Sequence, residues 1–214
     1  MLPLILLMFL LSRWSGGLVS RYGPRLPLIV GPVIVAFGFA LFVLPSVGGS
    51  YWSTFFPAIV VLGFGMAVSV APLTTVVMEA VDQDHVGTAS GINNAVARVA
   101  GLLAIAVLGI IMLIAFSNEL HHQLANQQMP EVARSALYSN ESRMGALKPP
   151  DGLKPQTAAT VESSIVSSFV LAFRLVMWIC AALALASAAV GWHMIPARSY
   201  KFTQLAPEAQ ETAH

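Results

Sequence analysis

Arg98 stands alone in a long apolar run, with Asn93 and Asn94 about one turn upstream. A guanidinium carries five N–H donors in a rigid fork, which suits it to hold an anion or a set of carbonyl oxygens. Gly91, Asn94, Arg98, Gly101 and Ile105 recur at three and four residues, so on a helix they share one face. Gly87 extends the same small-residue surface, which lets a neighbouring helix come close. If the helix begins near Gly87, Arg98 lies about 16 Å along it, near the middle of a bilayer. A charge at that depth must face protein or water, so Arg98 is expected to point into a bundle with Asn93 or Asn94 beside it. Two roles stand open for it. It is part of a translocation path, or it is a structural arginine bonded to backbone carbonyls near a kink.

Pro72 is the second feature with a physical consequence. Inside a helix it removes one backbone hydrogen bond and bends the axis. Ser69, Thr74 and Thr75 are near enough to serve freed carbonyls. The bend either moves during a transport cycle or is static. Glu79, further along, either pairs with Arg21 or Arg25 as a gate or is a solvated carboxylate at a helix end. Hydrolytic and nucleotide chemistry find no support. The chain has no G-x-S-x-G, no phosphate-binding loop and no H-E-x-x-H. The expectation is therefore no enzyme, no cofactor and no catalytic residue. Adjacent His121 and His122 lack a recurring ligand spacing and are read as a solvated helix end, not a metal site. Cys180, the only cysteine, excludes an internal disulfide. Asn140-Glu141-Ser142 fits a glycosylation sequon, a pattern common by chance.

The elements that would position these residues are membrane helices. Of 214 residues, 57% are hydrophobic and only 10% charged, against roughly 25% charged in a soluble domain. The mean hydropathy is +0.75. A net charge of +1 leaves no basic field for nucleic acid. From Leu26 to Met78 there is no Asp, Glu, Lys or Arg, enough for two spans of about 20 residues. Pro45-Ser46-Val47-Gly48-Gly49-Ser50 breaks that run with turn chemistry. The expected spans are 26–45, 54–79, 88–116 and 164–195. Residues 1–11 are apolar but too short to cross, and have no cleavage site or charged leader; they read as the end of a span. The fold class is all-α, with one partial and four complete transmembrane helices.

Sidedness follows from the loops. Arg21 and Arg25, in the short Gly16–Leu28 turn, mark a cytoplasmic loop. Residues 45–53 are then outside, 80–87 inside and 117–163 outside. The tail, 196–214, with Arg198 and Lys201, is inside. The 117–163 segment is polar, holds Pro149, Pro150 and Pro155, and is too short for a separate domain. Residues Glu131 to Leu137 within it suit a helical turn or two. Arg13 and Arg174 lie near interfaces and snorkel. Trp14, Trp52 and Trp192 suit interfacial belts, with Trp178 deeper.

The turn GGLVSRYGPRLPL resembles the signature loop of the major facilitator superfamily, G-x-L-x-D-R-x-G-R-[KR]-x-x-L. Gly16, Leu18, Arg21, Gly23, Arg25 and Leu28 match, while Ser20 stands for the usual Asp and Pro24 for a frequent Arg. Two further stretches resemble the fourteen-helix drug/proton antiporters of that superfamily. One is Gly63, Gly65, Ala71 and Pro72. The other is Gly87, Ala89, Ser90, Gly91, Asn94, Arg98 and Gly101, with Leu102 in place of a second Gly. Gly31-Pro32 is not that family's Gly-Pro motif, which belongs to its N-terminal half.

The resemblance implies a C-terminal half-bundle whose N-terminal half is missing. It implies alternating-access export of a multidrug or other small-molecule substrate, driven by protons, across a bacterial cytoplasmic membrane. In the family the signature-loop arginines bond to helix ends, which favours the gate for Glu79. Helix packing is expected at Gly63, Gly87, Gly91 and Gly101. No Asp or Glu lies at mid-span, and the resemblance puts the coupling carboxylates in the N-terminal half. Two alternatives remain. One is a transporter of a metabolite or organic anion with Arg98 as a contact. The other is a non-transporting remnant that only packs.

Overall fold

The computed structural model of the chain describes residues 9–11, 17, 23, 25–44, 51–79, 81–125, 127 and 129–194. Among these every regular element is helical. They are α1 (Arg25–Leu41), the single turn α2 (Tyr51–Thr54), α3 (Phe56–Glu79), α4 (Val86–Leu124), α5 (Glu131–Ser139) and α6 (Pro155–Met194). Two 3-10 turns, Gln83–His85 and Glu141–Ala146, precede α4 and follow α5. The protein is an all-α integral membrane protein. Among the described residues three stretches are long and apolar enough to cross a bilayer: Phe56–Thr74, Gln83–Leu124 and Pro155–Met194. Apolar α1 has 17 residues, about 25 Å. It is lengthened by the tight turns Phe42 N to Phe39 O, Val43 N to Ala40 O and Leu44 N to Leu41 O, which satisfy its last carbonyls.

Most of the expected partial first helix lies outside the described residues. Of the other ends, α1 stops at Leu41 and α3 starts at Phe56, inside the expected 26–45 and 54–79, while α4 and α6 run well past theirs. α4 has 39 residues and α6 has 40, about 58 and 60 Å. Residues 117–124 and 155–163, expected in a loop, are helix. The cause is tertiary. Polar side chains such as Asn118, His122 and Glu162 are exposed, while Phe116, Leu120, Leu124, Val161 and Ile165 meet between the two helices, all at or below 2% exposure.

α1 packs on α3 and α6, and α4 packs on α6. Backbones on α1 and α3 come very close. A methyl added to Gly65 would lie 2.7 Å from the Val35 nitrogen, and one on Gly38 would lie 3.0 Å from Leu62 Cα. Such an approach needs residues without a side chain. At the far ends of these helices an aromatic group closes the turn. Phe42 meets Phe55 at 6.2 Å between centroids, and Trp52 meets Phe56 at 5.0 Å.

The segment between α4 and α6 folds back as a cap. α5 places Ala133 and Leu137 inward. Leu137 and Leu147 join Phe116, Leu120, Leu124, Val161, Ile165 and Ala172 in one cluster, with Met144, Tyr138 and Phe169 against it. The cap therefore shares its core with the extended helix ends and does not fold as a separate unit. Met144 takes φ 45° between the two halves of the Glu141–Ala146 turn.

Candidate functional site

α1 begins immediately after the glycine turn. Gly23 has φ +74°, the left-handed region where a side chain is strained. Arg25 then opens α1 and donates from Nη2 to the Trp192 carbonyl at 3.2 Å. Its guanidinium also lies over the Trp192 ring, 4.9 Å from the centroid. Trp192 is in the last turn of α6, so the cation sits at the negative end of that helix. Gly191 makes room for the contact, since a methyl there would be 3.2 Å from the Leu28 carbonyl oxygen. The arrangement ties the start of α1 to the end of α6. Gly16, Leu18 and Arg21 fall outside the described residues. So do the side chains of Thr75 and Glu79, which leaves the Glu79 gate beyond the described geometry.

α3 carries the second expected feature. Pro72 is almost fully buried, and Gly63 is buried too. Ser69 Oγ donates to Gly65 O at 2.8 Å, and Thr74 Oγ1 donates to Val70 O at 3.1 Å. Each hydroxyl thus bonds the carbonyl four residues before it, while the carbonyl that Pro72 leaves without its usual donor belongs to Val68. The tight packing of Ser69 against Gly31 explains the choice. A methyl on Gly31 would lie 2.1 Å from Ser69 Oγ.

The α4 motif is arranged differently. Gly87, Gly91, Asn94, Arg98 and Gly101 are all exposed and Asn93 half-buried. Nothing lies within 4 Å of a methyl placed on Gly87, Gly91 or Gly101. Arg98 has no hydrogen bond or ion pair among the described residues. Among the described residues the glycines with a close neighbour include Gly31, Gly38, Gly65, Gly145 and Gly191, none of them among the four expected to pack, Gly63, Gly87, Gly91 and Gly101. Their periodicity was visible, but which face meets a neighbour depends on the pairing of helices.

At the cap, Glu141 accepts from Ser117 Oγ through Oε2 and pairs with His121 Nε2 through Oε1. The His121 ring lies 3.9 Å from that of Tyr138. Ser167 Oγ donates to Gln123 Oε1 at 2.9 Å, joining α6 to α4, and Gln123 donates to Glu119 at 2.7 Å. Arg134 Nη2 donates to Gln127 O at 3.0 Å. His121 is thus a clasp within the cap. Among the described residues no three His, Cys, Asp or Glu side chains gather as metal ligands.

Residues 1–118 match the family model of the Major Facilitator Superfamily. The chain belongs to that superfamily. It is 30% identical over 195 residues to the tetracenomycin C resistance and export protein of Streptomyces glaucescens, covering 89% of this chain and 36% of that protein. It is 29% identical over 141 residues to the multidrug resistance protein Stp of Mycobacterium tuberculosis, covering 64% of this chain and 25% of that protein. The chain therefore spans about a third or less of the length of these relatives. The matched region of the superfamily takes in the Gly23–Arg25 turn, the α1–α3 glycine contact and the α4 motif.

Proposed function

We propose that this chain forms part of a secondary active exporter of drugs or drug-like small molecules that works by alternating access with protons as the coupling ion. The observation that carries the reading is the alignment of 195 residues with a resistance and export protein, over helices whose glycine contacts are those of packed membrane spans. Membership of the superfamily supports a small-molecule substrate and weighs against an enzyme. No Asp or Glu lies between Leu26 and Met78 or between Val99 and Asn118, so the proton-carrying carboxylate belongs to the portion of the relatives that this chain does not span.

Arg21 and Arg25 support a cytoplasmic position for the start of α1 and, through the Arg25–Trp192 bond, for the end of α6 and the tail. The cap then faces outward from a bacterial cytoplasmic membrane. Within this reading the Arg25 tether holds two cytoplasmic helix ends together, and Glu79 is a candidate for the same gate. Pro72 and Thr75 are candidates for the moving part of α3. Asn93 and Asn94 remain candidates for a polar surface facing the rest of the transporter.

The test is a chimera in which this chain replaces the aligned 195 residues of the Streptomyces glaucescens protein. Cells carrying it should resist tetracenomycin C, and a protonophore should abolish the efflux. A chimera present in the membrane at normal level without resistance would favour a chain that packs but does not transport. Efflux that persists under the protonophore would remove protons as the coupling ion.

A further inference from the structure

We propose that Arg98 lies at the edge of the bilayer, level with Arg25, and binds the phosphate of a lipid headgroup there. The argument rests on helix register and holds whether or not the protein transports. Arg25 reaches Trp192, and Gly191 abuts Leu28, so the start of α1 is level with the end of α6. Gly38 abuts Leu62, and Gly31 abuts Ser69 and Gly65, so antiparallel α1 and α3 are level at both positions. Following that register, the start of α1 is level with Pro72 and Thr74. At the other edge, Leu44 is level with Phe56, joined by the Phe42–Phe55 ring contact. Following α6 from Gly191 brings Arg174 level with this same edge.

α4 is placed by its own contacts. Ser167 bonds Gln123, so antiparallel α4 and α6 bring Arg174 level with Phe116. Arg98 is eighteen residues back along α4, about 27 Å, which returns it to the level of Trp192 and Arg25. All four helices then share one uncharged slab. Its limits are Leu26 and Leu44 on α1, Phe56 and Thr74 on α3, Val99 and Asn118 on α4, and Leu175 and Trp192 on α6. Each stretch is about 25–30 Å long, the thickness of the hydrocarbon core. The charges that bracket it are Arg25 and Arg98 on one side, Arg174 and Glu119 on the other.

This changes what Arg98 can meet. At mid-bilayer it needs a protein counter-group; at the edge it stands among phosphates. Its surroundings match that site. Val96, Val99, Leu102 and Leu103 around it are 57–69% exposed, an apolar collar against acyl chains. The open space at Gly91 and Gly101 leaves room for a headgroup. The guanidinium brings a fixed positive charge to that phosphate.

The test uses the full chain in vesicles, with Cys180 replaced by Ser. Single cysteines at Ala97, Ala106 and Ser117 are labelled with a fluorophore and quenched by lipids brominated on the acyl chain. Ala106 should be quenched most strongly, Ala97 and Ser117 weakly and about equally. Quenching at Ala97 as strong as at Ala106 would put Arg98 in the middle of the membrane and overturn the placement. The second measurement is the association of spin-labelled phosphatidylglycerol relative to phosphatidylcholine. Arg98→Gln should weaken the preference for phosphatidylglycerol by about fivefold, as expected for one cation near an anionic surface. Arg98→Lys should keep most of it. Inorganic phosphate should not displace the labelled lipid. An unchanged preference in Arg98→Gln, or displacement by inorganic phosphate, would overturn the lipid site.

Discussion

Gly65 on α3 stands so close to α1 that an added methyl would lie 2.7 Å from the Val35 nitrogen, whereas Gly87, Gly91 and Gly101 on α4 have nothing within 4 Å. The residue type and helical spacing are alike; the environment is opposite. Small residues permit a close helix contact without creating one. What creates it is an apposed helix with a matching gap, and α1 supplies that to α3 through Gly31 and Gly38. Among the described residues the N-terminal half of α4 has no such neighbour, and its apolar residues, such as Ile92 at 60% and Leu102 at 69% exposed, are bare. A helix that is apolar on every side belongs in lipid or within a larger bundle. The α1–α3 pair is therefore packed within the described residues, and the N-terminal half of α4 is bare.

The C-terminal half of α4 sharpens the contrast, because the same helix is well packed there. Leu120 is fully buried in the cap core with Phe116, Leu124, Leu137 and Val161. Leu120→Ala should cost about 2–5 kcal/mol, the largest effect expected. Thermal unfolding of the full chain in mild detergent would read it, with a change of less than about 0.5 kcal/mol for Leu102→Ala as the counterpart on the bare half. Equal losses at the two sites would mean that α4 is packed along its whole length.

Gly65→Ala comes next. The methyl would press on backbone, which cannot rotate away as a side chain can, so about 1–3 kcal/mol should be lost. α1 and α3 should then separate, seen as weaker crosslinking between cysteines at Phe42 and Phe55, whose rings stand 6.2 Å apart. Retention of both stability and crosslinking would show that α1 and α3 are not held by the glycine contact. Smaller again is Arg25→Ala, at about 0.3–1 kcal/mol for a cation at a helix C-terminus. It should loosen the start of α1 from the end of α6 while leaving the cap unchanged, so Trp192 fluorescence should shift without loss of the Leu120 core.

The long absence of charge from Leu26 to Met78 made the membrane helices legible, and the GGLVSRYGPRLPL turn made the superfamily legible. Both signals are local in sequence. The cap was not legible as a folded unit, because Phe116, Leu137, Leu147 and Val161 are separated by polar runs and meet only in space. His121 was read as a solvated helix end. Its partner Glu141 is twenty residues away, and no periodicity joins them. The sequence puts Arg98 near mid-bilayer by counting about 16 Å from a helix start near Gly87. α4 begins at Val86 but runs on to Leu124, and the bond from Ser167 to Gln123 gives its register against α6, from which the edge placement proposed for Arg98 follows. Side-chain types were readable from sequence, but depth required the register between helices.

Gly91→Ala is the smallest effect in this chain and tests the comparison most directly. No atom lies within 4 Å of the new methyl, so packing exacts nothing. Alanine also favours the helix by up to about 1 kcal/mol over glycine. The full chain in detergent should be as stable as the parent or slightly more so. In the efflux chimera the sign should reverse if another helix of the transporter lies against this face, because the methyl would then hold the two backbones apart. Resistance should fall while the amount of protein in the membrane stays normal. If Gly91→Ala leaves resistance unchanged, and Gly101→Ala does the same, this face meets lipid in the assembled transporter. The α4 glycines would then be small without being a contact, and the lesson of the α1–α3 pair would not extend to them.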